Sequence, residues 1–233
     1  MNLLALAIAP GIVICIFIYL KDKYNREPLG LLLVSFILGM LSTIPAIILQ
    51  ALSHTTLESL AGKSLTEVAI FAYLVVALSE EGSKYFMIRI FGYRRKSFDE
   101  PFDGIVYAIM VGMGFATLEN IGYVYQNGIG TGIMRMFLAV PAHATFAVLM
   151  GYYMGLAKFD NANRKKYLFL AILLPVIFHG TYDCFLFLGN TILHFAGSLV
   201  SLIVAIQLSK KAIRKHQALS KEALIQNNDH SLL

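Results

Sequence analysis

Runs of about twenty apolar residues, broken by short polar stretches, set the rhythm of this chain, and a membrane-crossing helix needs about that many. Seven such segments stand out, at about residues 3–20, 29–52, 66–91, 104–126, 132–157, 167–188 and 190–209. The last two are separated only by Gly189-Asn190, so a long re-entrant hairpin is the alternative there. Pro10, Pro45, Pro141 and Pro175 fall within these segments, as a membrane bundle tolerates where neighbouring helices satisfy the freed backbone groups. The pattern predicts an all-α, polytopic transmembrane bundle over residues 1–209, followed by a basic, disordered tail over 210–233.

Composition strengthens that prediction. Hydrophobic residues make up 58% of the chain and charged residues 14%, against roughly 25% charged in a soluble domain. The net charge of +5 forms no basic stripe interleaved with aromatics, so nucleic acid is not an expected partner; the lipid bilayer is. Basic residues crowd alternate loops instead: Lys21, Lys23 and Arg26; Arg94, Arg95 and Lys96; Lys158, Arg164, Lys165 and Lys166; then Lys210 onward. The intervening loops carry almost none, which predicts an extracytoplasmic N-terminus and a cytoplasmic C-terminus. The first run lacks a basic leader, and Lys21-Asp22-Lys23-Tyr24 follows it where a cleavage site would need small residues, so it reads as a retained span. Cys15 and Cys184 sit singly in apolar runs and read as small buried residues, without disulfide or metal role.

Polar intrusions into four of the apolar segments point to chemistry: Glu80, Glu81 and Lys84; Glu119 with Asn120; His143; and His179 with Asp183. A charge at the bilayer centre costs about 2.5–3.5 kcal/mol on insertion scales, so each group needs a partner or a wet cavity. With a rise of about 1.5 Å per residue, Glu119 and Asp183 lie roughly 8–10 Å below the outer face, His143 and His179 roughly 14–16 Å, and the glutamate pair roughly 20 Å. One outward-opening cavity can therefore take all six. Glu80 and Lys84 share a helix face at i, i+4, whereas Glu81 points about 100° away and needs another partner or a proton. His179 and Asp183 repeat the i, i+4 spacing, by which a carboxylate fixes an imidazole tautomer. The Gly112/Gly114 and Gly151/Gly155 pairs read as points of close helix approach. His54, His194, His216 and His230 fall in loops, span ends or the tail and receive no role. The HExxH helix, GxSxG and a nucleotide-binding glycine loop are absent from the sequence.

These motifs, in this order, resemble the PrsW family of bacterial intramembrane proteases: Glu80-Glu81-x-x-Lys84, Phe115-x-x-x-Glu119-Asn120, His143 and His179-x-x-x-Asp183. The flanking phrases Tyr19-Leu-Lys-Asp22 through Glu27-Pro28 and Phe98-Asp-Glu through Tyr107 extend the likeness over nearly the whole chain except the tail. More distantly the order is similar to the CAAX-prenyl endopeptidase superfamily, whose last motif ends in asparagine where this chain has Asp183. The resemblance implies a multi-pass protease of the bacterial cell membrane. It would make the first, extracytoplasmic-side cut in a single-span anti-sigma factor, leading to sigma-factor release under envelope stress.

The expected roles follow from what peptide hydrolysis requires: water, a base and an electrophilic stabiliser in a site shielded from lipid. Glu80 or Glu81 activates the water, and His179 shares in proton transfer, oriented by Asp183. His143 stabilises the oxyanion or binds a metal, while Lys84, Glu119 and Asn120 support the pocket. A metal-free glutamate–histidine site needs no further assumption and is favoured; zinc held by His143, His179 and a carboxylate is the alternative. Two other classes bury such groups, an ion-coupled transporter and a scaffold with structural ion pairs. The transporter predicts paired half-repeats with broken helices, which the sequence does not show.

Overall fold

The computed structural model describes residues 3–53, 63–189 and 191–230, and among these the regular structure is entirely helical. The helices are α1 (Leu3–Lys21), α2 (Leu29–Leu41), α3 (Thr43–Leu52), α4 (Leu65–Ile70), α5 (Leu78–Ile90), α6 (Pro101–Phe137), α7 (Ala139–Phe159), α8 (Arg164–Phe187) and α9 (Ile192–His230). A π-helical stretch, Phe71–Ala77, joins α4 to α5, and a 3-10 turn, Gly92–Arg94, follows α5. Five helical segments are long and apolar enough to cross a membrane: Leu3–Lys21, Leu29–Leu52, Pro101–Phe159, Arg164–Phe187 and Ile192–Glu222.

Proline and glycine set the breaks. The expected second span divides at Ser42, because Pro45 has no N–H to return to the carbonyl of Leu41. Pro141 likewise cannot bond the carbonyl of Phe137, and the chain turns at Leu138, where α7 begins. Inside α6, Gly128 has φ 80° and ψ −169°, a conformation that side chains with a Cβ rarely adopt. The following turns fold back, and Gly132 lies against Leu6 and Val124. The expected fifth span, from about residue 132, is therefore interrupted at Leu138.

Helix α6 is the axis of the bundle, with α1, α2 and α7 packed along it. Every residue from Phe102 to Thr117 is buried, so this helix meets protein all round. Close approach to α7 depends on Gly104 and Gly151, where a Cβ on either would strike the other's backbone. The outer helices differ. Val13 and Phe17 on α1, Leu33 on α2 and Ile47 on α3 all expose more than half of their surface. A belt of this kind has no protein partner and is suited to lipid.

The C-terminal segment departs from expectation. It continues as helix to His230, and Ala212, His216 and Ser220 on it are buried. His216 stacks on Tyr152 at 4.4 Å between ring centroids, and Gln217 Nε2 donates to the Lys21 carbonyl at 2.7 Å. The reason is amphipathicity: this stretch interleaves basic residues with Ala212, Ile213 and His216, which pack on the bundle while the lysines face out. His54 and residues 231–233 lie outside the described residues. Cys15 and Cys184 are buried free thiols, as expected.

Candidate active site

The polar groups of the four segments meet. A cavity of about 670 Å³ is lined by Glu80, Glu119, His143, His179 and Asp183, with Gln50, Tyr123, Arg135 and Tyr182 completing its polar wall. The π-helical stretch immediately before α5 prepares the arrangement. Its wider turns shift the register of the helix that carries Glu80, and π-helical turns concentrate at functional sites for this reason. Tyr73 within it packs where a Cβ on Gly180 would stand, and its hydroxyl lies 2.6 Å from Thr181 Oγ1, fixing it against α8.

The two glutamates face different ways. Glu80 reaches the cavity, with Gln50 Nε2 donating to its Oε1 at 3.3 Å and its buried Oε2 accepting no hydrogen bond. Glu81 is fully buried behind the wall. Its Oε1 accepts from Lys84 Nζ at 2.7 Å and lies 2.8 Å from His179 Nδ1. Lys84 also stands 3.7 Å from Glu80 Oε2, 3.1 Å from His143 Nδ1 and 4.1 Å from the centre of the Phe115 ring. One cation thus holds two carboxylates and a histidine and rests on an aromatic face.

The histidines are held from both sides. His179 has Glu81 at Nδ1 and Asp183 Oδ2 3.1 Å from Nε2, the i, i+4 contact expected from spacing. Phe146 stacks on its ring at 4.9 Å with an interplanar angle of 18°. His143 lies edge-on to it, 5.2 Å between centroids. A lysine ammonium only donates, so His143 Nδ1 is the acceptor from Lys84, and its Nε2–H donates to Glu119 Oε2 at 2.9 Å. Arg135 then donates through one nitrogen to Glu119 Oε2 at 2.7 Å and through Nε to Asn120 Oδ1 at 2.9 Å. Asn120 itself is buried outside the cavity and donates to the Ala7 carbonyl at 2.9 Å, so it anchors Arg135 and α1.

Gln50 and Arg135 are site residues that the sequence reading did not select. Both were visible as signals, since each is an isolated strong hydrogen-bonding side chain within an apolar run. What hid them was fold: Gln50 meets Glu80 only because α3 packs beside α5, and Arg135 reaches Glu119 only after the chain folds back at Gly128.

Glu80, His143 and His179 also have the make-up of a metal site. One donor atom from each lies within 4.8 Å of the others, all three side chains are buried, and Glu80 Oε2 accepts no hydrogen bond. Two imidazoles and a carboxylate are a common zinc donor set with a fourth position open. The residues therefore fit such an ion in kind and spacing; to bind it His143 gives up Lys84 or Glu119, and His179 gives up Glu81 or Asp183.

Comparison with known proteins gives the family. Residues 27–208 match the model of the family described as "PrsW family intramembrane metalloprotease". The chain is similar to the Protease PrsW of Geobacillus kaustophilus, at 42% identity over 78% of each chain, and to that of Bacillus subtilis, at 38% over 78% of this chain and 81% of the relative. Similarity to the Protease PrsW of Clostridioides difficile is lower, at 31%, but spans 97% of this chain and 96% of that one. No solved structure matches.

Proposed function

We propose, from the premise that this chain belongs to the PrsW family and is a multi-pass intramembrane protease, that it makes the first, extracytoplasmic-side cut in a single-span anti-sigma factor. The observation that supports proteolysis within the bundle is the convergence of Glu80, His143 and His179 on one cavity among the helices. A peptide bond unwound from a substrate helix needs water there, and the cavity wall supplies its polar partners.

The division of labour follows from exposure. Glu80 is the member of the glutamate pair that faces the cavity, so it takes the proton from the attacking water. Glu81 acts through His179: with Glu81 at Nδ1 and Asp183 at Nε2 the imidazole is held as a proton carrier 3.9 Å from Glu80 Oε2, and it passes its Nε2 proton to the leaving amine. His143, with its Nε2–H, and Arg135 are the hydrogen-bond donors of the cavity wall that would stabilise the carbonyl oxygen as it gains charge. Lys84 lies behind the wall and holds the negative groups in place.

The second reading is the metal-dependent one, favoured by the three-donor convergence and the family's description. Held by Glu80, His143 and His179, zinc would supply Lewis-acid polarisation of the carbonyl and the water. In that arrangement Glu119 and Asp183 are the carboxylates that remain in the cavity wall to accept the proton, while Glu81 still orients His179.

The topology that accompanies this reading has seven crossings, an extracytoplasmic N-terminus and a cytoplasmic C-terminus. The α4–π–α5 segment crosses despite Glu80, Glu81 and Lys84 because these three pair with one another inside the bundle. The function is tested by reconstituting purified protein in vesicles with single-span anti-sigma factors of known membrane orientation and sequencing the fragments. Cleavage on the extracytoplasmic side of the substrate span, lost with Glu80→Gln, is the expected result. Intact substrates throughout, alongside cleavage of other single-span proteins, would remove the anti-sigma assignment and leave the protease.

A further inference from the structure

Four carboxylates converge far from the cavity, at the end of the bundle where α1 finishes and α6 begins. They are Asp22 and Glu27 from the loop after α1, Glu100 just before α6, and Asp103 in its first turn. All four are buried, Asp22 and Asp103 completely. One oxygen from each of Asp22, Glu100 and Asp103 lies within 4.8 Å of the others.

Each group is held by one oxygen and left open at the other. Asp22 Oδ2 accepts from the Glu27 N–H at 3.3 Å, and Glu27 Oε2 accepts from the Tyr107 hydroxyl at 2.7 Å. Asp103 Oδ2 accepts from the N–H groups of Asp99 and Glu100 at 2.9 and 2.8 Å, and the Glu100 side chain accepts from the Asp103 N–H. Asp22 Oδ1, Glu27 Oε1, Glu100 Oε1 and Asp103 Oδ1 have no hydrogen-bond partner. An independent element adds a fifth: the Ser220 hydroxyl on α9, 1% exposed and also unpartnered, faces Glu100.

Counter-charge is missing. Among the described residues none of the four forms an ion pair. Arg26, the adjacent guanidinium, donates its Nε to the backbone oxygen of Asp22 at 3.0 Å and stacks on Tyr19. Buried unpaired carboxylates are expensive, and hard oxygen donors without nitrogen or sulfur suit calcium or magnesium rather than zinc.

We propose that Asp22, Glu27, Glu100 and Asp103, with the Ser220 hydroxyl, form a binding site for a hard divalent cation that clamps the α1 loop, the start of α6 and α9 together. The site is separate from the proteolytic cavity and stabilises the scaffold behind it. Gln217, one turn from Ser220, already joins α9 to the end of α1 through a hydrogen bond to the Lys21 carbonyl.

The test uses the full chain purified in a non-ionic detergent and stripped with chelator. Terbium is added and excited through tyrosine, since Tyr107 stands against Glu27; calcium and magnesium then compete, and circular dichroism follows melting. The expectation is saturable terbium emission displaced by calcium or magnesium, and a Tm several degrees higher with the competing ion. In Asp22→Asn/Glu100→Gln, affinity falls about tenfold or more, whereas His179→Ala retains it. If the double variant is not recovered, Glu100→Gln alone carries the comparison. No ion response in the parent protein overturns the site, as does a response undiminished in the carboxylate variants or lost in His179→Ala.

Discussion

His179 Nδ1 lies 2.8 Å from Glu81 Oε1, the same oxygen that Lys84 Nζ meets at 2.7 Å. A buried carboxylate that serves a lysine and a histidine at once cannot also face water. In the proposed mechanism Glu81 is therefore a positioning residue, and the chemistry falls to groups that line the cavity.

That assignment predicts two different failures. Glu80→Gln should lower kcat by about 10²- to 10⁴-fold, the usual worth of a general base, with membrane abundance near that of the parent. Glu81→Gln should also suppress cleavage, but it disturbs His179, so the pH profile of residual activity should shift as well. His179→Ala joins the first class. Full cleavage by both glutamine variants would return the pair to a purely structural role.

Arg135 and Glu119 should behave as one unit, because the guanidinium bonds both the carboxylate and Asn120. Arg135→Met and Glu119→Gln are each expected to cost about ten- to a hundredfold in kcat/KM. Their double variant should lose much less than the product, with a coupling of about 0.5–3 kcal/mol. Additive losses in the cycle would place Arg135 outside the site.

Metal dependence separates the two catalytic readings. If Glu80, His143 and His179 hold zinc, chelation stops turnover, added zinc restores it, and metal analysis approaches one ion per chain at this site. If Glu80 acts directly on water, chelated enzyme keeps turning over. Calcium or magnesium at the acidic cluster affects stability, so melting and turnover are measured on the same samples.

Orientation is tested by fusions. A reporter after Leu233 should read as cytoplasmic and one inserted near Gly128 as extracytoplasmic, from the placement of lysine and arginine. The opposite pattern would turn the cavity toward the cytoplasm and with it the side of the cut.

Packing of α6 on α7 is the last test. Gly151→Leu places a side chain where Gly104 leaves no room, so destabilisation of about 1–3 kcal/mol is expected. The measurement is the melting temperature and the membrane yield. A stability equal to the parent's would mean that the two helices can separate without cost.

Much of this protein was legible in its residues. Apolar runs gave the helical bundle, since hydrocarbon leaves a spanning backbone few ways to satisfy its hydrogen bonds. The cost of burying charge singled out Glu80, Glu81, Lys84, Glu119, His143, His179 and Asp183, and spacing alone paired His179 with Asp183. Local pattern could not say which glutamate faces the cavity, because that depends on the π-helical stretch before α5 and on the neighbours that α8 and α3 supply. Nor could it place Arg135 on Glu119, a contact made by the reversal at Gly128. The tail looked polar enough for disorder, yet α9 continues, because Ala212, His216 and Ser220 find a surface made by helices distant in sequence. The sequence by itself determined which groups must be hidden from lipid, a property of each side chain; only tertiary structure decided which of them meet, a property of helices brought together by packing.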